Sequence, residues 1–398
     1  MGVTNQNRSL GNQLWDLAGG RPSLDLPFAD NKSLVDATTG ANLVDFTRAS
    51  SATYVGSDGL IKTAPPDVPR FDHDPATGES LGLLIEDPRT NLLTYSEQFD
   101  QWVIGGGSSV TANQAVAPDG TNTADRVQHT GSGSSWIRQD VLNVGTQYTA
   151  TVYAKAVTPG TNDQFTFNIG GSTNSDIKTA TSEWQRFTWT ATASANSFYI
   201  NNGDDSFSTD VYFWGAQLEA DSFPTSYIPT SDSTVTRAAD VASIEGANFS
   251  SWYNQSEGTV FYEASAKSPG IPAALFNSGS FNSSSPRINV NVISGSLGGG
   301  GRTQVVVSNT QFDTGNMSTP SYSLGTIVKQ ASAFQIDNFA HCFQGGTVIT
   351  DNSGTMPSAL SRVSIGFNWT SSYLNGHIAR LAYWPARLPD FTLQTITQ

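Results

Sequence analysis

Residues Tyr148 to Ala156 read Tyr-Thr-Ala-Thr-Val-Tyr-Ala-Lys-Ala. This puts Tyr148, Ala150, Val152, Ala154 and Ala156 on one face of an extended chain, and Thr149, Thr151, Tyr153 and Lys155 on the other. A sustained period of two cannot lay an apolar stripe along a helix; it describes a half-buried β-strand. The alternation returns in Phe165-Thr166-Phe167-Asn168-Ile169, from Trp184 to Thr190, and in Val211-Tyr212-Phe213-Trp214. Gly, Asn, Asp or Pro punctuates the intervals, residues that supply the positive φ and the ladder breaks of tight turns. Only 14% of the 398 residues are Asp, Glu, Lys or Arg, too few charged helix formers for bundles. The 9 Trp, 12 Tyr and 21 Phe argue for packed cores rather than low-complexity disorder. The fold class is all-β, and the length calls for more than one core.

Four stretches follow along the chain. Residues 1–20 are polar except for a knot of Leu10, Leu14, Trp15 and Leu17, which suits either an attachment arm or packing on the parent domain. Residues 21–96 carry short strands, with Ser57-Asp58-Gly59 marking a hairpin and Pro65, Pro66 and Pro69 breaking any ladder, so a small N-terminal β region is expected. Residues 97–230 hold the clearest alternation and are expected to form an antiparallel sandwich of jelly-roll topology. Residues 235–398 repeat the style as a second antiparallel sandwich, closed by Ile378 to Trp384. One short helix is expected over Asp390 to Ile396, with Pro389 in its first turn, where a missing N–H costs nothing.

Net charge is −14. Such a surface repels phosphate backbones, so no nucleic-acid partner is expected, and the cations at Arg48, Arg70 and Arg89 read as isolated residues. No stretch is apolar enough for membrane insertion, and the first residues lack the apolar core of a secretory signal, so synthesis in the cytoplasm is expected. Cys342, flanked by Phe339, Ala340 and Phe343, reads as a small buried hydrophobe.

Candidate chemistry is sparse. Asp72, Asp74 and Glu79 surround a glycine but lack the Asp alternation and terminal acid of a calcium loop, so an acidic hairpin turn is expected there. Asn202-Gly203-Asp204-Asp205 reads the same way. Glu97 and Asp210 stand at the entry and in the last strand of the first sandwich. Oxygen ligands from both ends would suit a structural Ca²⁺, with solvated charge as the alternative. Among the aromatics, Trp184, Trp189 and Trp214 read as core. Trp136, after a flexible Gly-Ser loop, is the candidate platform for a glycan ring, with edge packing as its alternative; Trp252, Tyr253, Trp369 and Tyr373 are ambiguous. No Glu-x-Asp-x-x-Glu run occurs. No enzyme is expected.

Several phrases resemble a modular family of tailed-bacteriophage virion structural proteins of the tail-fibre and minor structural type. They are Phe46 to Val55, Pro69-Arg70-Phe71-Asp72, Leu81 to Glu86, Arg89-Thr90-Asn91-Leu92-Leu93, Gly215 to Ala239 and Leu374 to Pro385. The resemblance implies a small β region, then a carbohydrate-binding-module-like jelly roll, then a concanavalin-A/laminin-G-like sandwich. It implies a virion location and other virion subunits as partners. The expectation is a non-enzymatic appendage, homotrimeric, that touches host surface glycans; the alternative is a capsid decoration or connector protein without sugar recognition. The shared phrases specify scaffold, so no sugar-binding residue is implied by the resemblance.

Overall fold

A computed structural model describes residues 13–130, 134–171, 174–203, 207–267, 271–279, 285–292, 301–308, 310–314, 322–368 and 372–398. They form antiparallel sheets joined by turns, with a few short helices. Two compact units result: Ser50–Pro65 with Pro88–Ala238, and Met1–Ala49 with Pro66–Asp87 and Ala239–Gln398.

Among the described residues, the first unit is built on a two-layer sandwich of ten strands: β1 (Val103–Gly105), β2 (Ser108–Ala115), β3 (Ala124–His129), β4 (Trp136–Asp140), β5 (Gln147–Ala156), β6 (Gln164–Ile169), β7 (Lys178–Thr179), β8 (Gln185–Thr192), β9 (Ser197–Asn201) and β10 (Thr209–Glu219). One sheet runs β8-β5-β10-β3-β2 and the other β7-β6-β9-β4-β1. Strand β3 thus pairs with β10, β4 with β9, β5 with β8 and β6 with β7. That nesting is a long hairpin folded over on itself, the jelly roll. The alternation in Tyr148–Ala156 decides which side faces inward: Ala150, Val152 and Ala154 meet Phe165, Phe167, Phe198 and Ile200 across the layer, all fully buried.

The second unit pairs an eight-stranded sheet with a seven-stranded one. The first contains Ile349–Asp351, Asn338–Phe343, Val328–Gln335, Glu257–Ala264, Gly376–Trp384, Ser80–Ile85 and Phe71–His73 in that order, with Leu24–Leu26 also on Gly376–Trp384. The second contains Asp45–Thr47, Val241–Glu245, Arg362–Ile365, Pro272–Asn277, Arg287–Asn291, Arg302–Val306 and Thr310–Asp313. Val260, Tyr262, Ile378 and Tyr383 from one layer bury against Ala242, Phe276, Val290 and Ile365 from the other. Gly82 lies close to the neighbouring strand: a Cβ there would fall 2.2 Å from the Ile378 carbonyl oxygen.

One expectation is corrected. Residues 21–96 do not stand as a region of their own. Strands Leu24–Leu26, Asp45–Thr47, Phe71–His73 and Ser80–Ile85 are built into the sheets of the last third of the chain, whereas the hairpin Ala52–Val55/Ile61–Ala64 and strand Arg89–Asn91 belong with the jelly roll. Short strands cannot bury a face alone, and nothing in their periodicity says which sheet they complete. Residues 13–20 pack on the parent domain, the second of the two readings given for the first residues. Helix Gln13–Leu17 lays Leu14 and Ala18 with Leu393 and Ile396 of helix Asp390–Ile396 over Phe261, Ala333, Ala382 and Trp384, on the outer side of the eight-stranded sheet. Trp15 donates to Asp25, and Trp384 to the Gly20 carbonyl, both at 2.9 Å. The arm's residues 1–12, Asp204 and Asp205 of the expected turn, and Trp369 lie outside the described residues.

Arg48 and Arg70 are not surface cations. Both side chains are fully buried; Arg48 pairs with Asp240 at 3.1 Å, and Arg70 with Asp240 at 2.5 Å and Glu86 at 2.9 Å. Backbone bonds from Glu86 N to the Asp240 carboxylate, and from Asp240 N to the Glu86 carbonyl, close the cluster. Two positive and two negative groups cancel, which is what makes their burial tolerable. Asp240→Asn removes one charge and leaves the arginines in excess. The expected loss is about 3–5 kcal/mol in denaturant unfolding; a loss within error of zero would show that the cluster contributes nothing to stability.

Two histidines are buried without a carboxylate partner. His129 bonds Ser108 through Nδ1 at 2.8 Å, and His341 bonds Thr303 through Nδ1 at 2.9 Å. Burial pushes His129 down to about 4 and His341 down to about 3. An unfolded chain takes up these protons below about pH 6.5 while the folded chain does not. Each histidine therefore withdraws up to about 1.4 kcal/mol per pH unit as pH falls from that point toward its folded value. Burial raises Glu97 and Asp125, which works in the opposite direction. The comparison that isolates the effect is wild type against His129→Gln: the variant should gain in relative stability as pH falls from 6.5 to about 4. Parallel stability–pH curves would refute the assignment.

Candidate functional site

The two outer faces of the jelly roll differ. On the β8-β5-β10-β3-β2 sheet, Trp214, Tyr153 and Tyr227 pack with Ile61 of the Ala52–Ala64 hairpin, so that face is occupied. Trp214 is core, as expected, while Trp184 and Trp189 are only half-buried, and Trp184 donates to the Val116 carbonyl.

On the other sheet, alternation along β4 turns Ile137 inward and Trp136 and Arg138 outward. Register sets Trp136 between Gly105 of β1 and Asn201 of β9, and Arg138 between Val103 and Tyr199. The indole lies over the edge strand because residue 105 has no side chain: a Cβ there would sit 2.2 Å from the ring. Tyr199 meets Trp136 edge-on with centroids 5.6 Å apart. The Arg138 guanidinium stands 4.8 Å from the Trp136 centroid and 5.8 Å from that of Tyr199, and donates to the Tyr199 hydroxyl at 3.3 Å. A guanidinium this close to the two rings is attracted by their π faces. Trp136 is half-buried, Arg138 is 30% exposed and Val103 is 50% exposed. Beside this group, Asn168 and Asn201 both donate to Asn174, tying the turn after β6 to the sheet. The face presents a half-buried indole, a half-buried tyrosine and a partly exposed guanidinium.

The expected metal pair does not assemble. Asp210 accepts two bonds from Arg126, from Nε and Nη2, each at 2.7 Å. Glu97 accepts from the Tyr227 hydroxyl at 2.9 Å. Ala216 N donates to the Ser96 carbonyl, so Glu97 lies beside that part of β10, roughly 20 Å along the strand from Asp210. One ion cannot span that gap, and the residues do not fit a shared Ca²⁺. Among the described residues no group of three His, Cys, Asp or Glu side chains is arranged to hold a metal. Glu97 instead lines a cleft of about 380 Å³ with Tyr95, Gln98, Asp100, Asn113 and Asp125. Burial raises both Glu97 and Asp125 above the usual carboxylate range. Both Asp125 oxygens accept backbone N–H groups, from Phe99 at 2.8 Å and Asn113 at 2.9 Å, so this carboxylate fixes the chain around the cleft.

The remaining candidates resolve simply. Asp74 caps the turn between Phe71–His73 and Ser80–Ile85 by accepting from Ala76 and Thr77. Trp252 and Tyr253 bury in an aromatic cluster with Phe249, Phe276 and Tyr383, and Tyr373 stacks on Phe367. Cys342 is fully buried. Sequence reasoning named Trp136 with edge packing as its alternative, and the indole does pack over edge strand β1; it did not name Arg138 or Tyr199. Arg138 was visible two positions on, on the same strand face; Tyr199 becomes its neighbour only through the β4–β9 register.

No protein-family model matches the chain, and no curated protein does. Among solved structures, the sialyllactose-bound CBM40 module of the Ruminococcus gnavus IT-sialidase is 13% identical, with a TM-score of 0.31, over 36% of this chain and 84% of that one. The CBM22 tandem of Paenibacillus barcinonensis Xyn10C is 10% identical with a TM-score of 0.27, over 75% and 98%. The baseplate tripod of bacteriophage Tuc2009 is 11% identical with a TM-score of 0.22, over 79% and 99%. Likenesses this remote carry no argument about ligand; the fold stands on the strand order.

Gly105 and Trp136 should be coupled. Gly105→Ala is expected to cost about 1–3 kcal/mol by overpacking, and much less in a Trp136→Ala background, where the methyl group meets no ring. Additive costs in that double-mutant cycle would mean that the indole does not lie over residue 105.

Proposed function

We propose that this chain is a non-enzymatic structural component of a tailed-bacteriophage particle, a tail-fibre or receptor-binding appendage that touches host surface glycans through the face bearing Trp136, Arg138 and Tyr199. The observation that carries the reading is that face: two aromatic rings and a stacked guanidinium turned outward on a jelly-roll sheet. Shallow platforms of this kind bind sugars weakly, and copies in a homotrimer would multiply weak contacts into useful avidity. The phrases from Phe46 to Pro385 that resemble virion proteins support the particle setting, with synthesis in the host cytoplasm and assembly with other virion subunits. The carboxylates of the 380 Å³ cleft support the absence of catalysis, because Asp125 is spent on backbone N–H groups and Glu97 on a tyrosine hydroxyl.

A second reading, a decoration or connector protein that binds virion subunits and no sugar, draws on different residues. Leu17 is 45% and Phe391 70% exposed on the two terminal helices, apolar side chains suited to a protein partner. A glycan array on the purified chain separates the two. The appendage reading expects binding to a subset of glycans that Trp136→Ala reduces by about tenfold, since a stacked aromatic contributes on the order of 0.5–1.5 kcal/mol beyond the area it buries. No binding at millimolar glycan, with tight capture of a capsid or tail subunit lost in Phe391→Ser, would replace the first reading by the second. Release of reducing ends from host polysaccharide would overturn the non-enzymatic assignment.

A further inference from the structure

We propose that the second unit forms an ester crosslink between its own two layers, in which the Thr303 hydroxyl displaces ammonia from the Gln330 carboxamide. The proposal is independent of the glycan reading. Thr303 lies on strand Arg302–Val306 of the seven-stranded sheet; Gln330 and Ser332 lie on Val328–Gln335, and His341 on Asn338–Phe343, of the eight-stranded one. Alternation turns Ala331 and Ala333 toward the terminal helices and so points Gln330 and Ser332 between the layers. Register sets Ser332 directly across from His341, and Gln330 directly across from Tyr262. All five side chains are fully buried. Gln330 Nε2 donates to Thr303 Oγ1 at 3.0 Å, and Thr303 Oγ1 stands 2.9 Å from His341 Nδ1. The Tyr262 hydroxyl donates to Gln330 Oε1 at 2.9 Å and also lies 2.8 Å from the Asn291 carbonyl. Ser332 Oγ is 2.5 Å from Thr303 Oγ1, 3.2 Å from Gln330 Nε2 and 3.3 Å from His341 Nδ1.

A buried polar network satisfies its own hydrogen bonds. This one also sets out a nucleophile, a base, a carbonyl and a donor to that carbonyl in the order that acyl transfer requires. Burial keeps the imidazole neutral, with the His341 pKa down to about 3, so with hydrogen on Nε2 its Nδ1 lone pair faces Thr303 at ordinary pH. His341 Nδ1 takes the hydroxyl proton as Oγ1 attacks Cδ of Gln330, which lies one C–N bond, about 1.3 Å, beyond Nε2. A turn of the carboxamide about its last torsion, a soft one, presents the carbonyl face to the hydroxyl. The carbonyl electron pair moves onto Oε1, where the Tyr262 hydroxyl meets the developing charge. The proton on Nδ1 then passes to the amide nitrogen, the C–N bond breaks with its electron pair leaving on nitrogen, and the products are the ester and one molecule of ammonia. Nothing else is consumed. So weak a base makes the step slow, but each chain undergoes it once, so no turnover is involved. Escape of ammonia makes it one-way, and exclusion of water protects the ester. Ser332 lies on the same strand as Gln330 and farther from the base, so it orients Thr303.

Mass spectrometry of the whole purified chain, fresh and after several days at room temperature, tests this. Wild type should come to weigh about 17 Da less than its sequence, the mass of the ammonia lost. Peptic digestion at acidic pH, which spares esters, should yield one pair of peptides joined through Thr303 and Gln330. Hydroxylamine should separate them, as it cleaves esters and leaves amides. Thr303→Val and Gln330→Glu should keep the full mass of their own sequences, while Thr303→Ser and Ser332→Ala should still form the link. His341→Gln should slow its appearance by about a hundredfold or more. Melting curves of the variants report folding separately, and the wild-type measurement depends on no variant. An unchanged wild-type mass, the same mass loss without a linked pair of peptides, or a link through Ser332 overturns the proposal.

Discussion

The neutral cluster of Arg48, Arg70, Glu86 and Asp240 is the interaction on which the larger sandwich depends. That unit is assembled from three separate pieces of chain, ending or beginning at Ala49, Pro66, Asp87 and Ala239. Each of the four charged residues stands within four positions of one of those points. A chain that leaves a unit and returns to it repeatedly gains nothing from local propensity at the points of return, because the segments are remote in sequence. Contacts between segments must supply the specificity. Apolar side chains would bury there with equal ease in several registers. Two guanidinium groups on two carboxylates, bonded in turn to backbone N–H groups, accept far fewer arrangements, and any wrong one strands a buried charge.

The same logic explains why the phrases that resemble virion proteins are those they are. Arg48, Arg70, Glu86 and Asp240 all fall within or beside them, as does Asp72, whose carboxylate meets His377 at 2.8 Å. Arg380, in the closing phrase, pairs with buried Asp25. Motifs read as glycines, prolines and core apolars are therefore also a set of polar staples between distant strands. They mark how a scaffold is held, which is why they are weak guides to what it binds. The proposed binding face lies elsewhere, on a sheet whose inner side supplies rigidity: Ile137, Phe167, Phe198 and Ile200 lock the strands from which Trp136, Arg138 and Tyr199 project. A platform on regular strands keeps its geometry better than one on a loop.

How much was legible follows from the range of each signal. Period-two alternation is local, so the strands of the jelly roll and the inward side of β5 could be read directly. The terminal helix Asp390–Ile396 followed from one proline and its neighbours. The grouping of residues 21–96 failed because partner choice for a three- or four-residue strand is a long-range property. The pairing of Glu97 with Asp210 failed for a related reason: both do lie at the start and end of the jelly roll, but residue 97 meets β10 near Ala216, well along the strand from Asp210. Arg126, directly across the sheet from that acid's neighbourhood, took it instead.

The amino-acid order alone thus determined the class of architecture, since spacing of apolar and turn residues acts over a few positions and needs no partner. It also singled out Trp136, an indole beside a glycine-rich turn. Tertiary structure decided which strands became neighbours and which cations were buried. Those outcomes depend on register between segments far apart in the chain. Hydrogen-bonded ladders and buried charge select that register only when all the segments are present together.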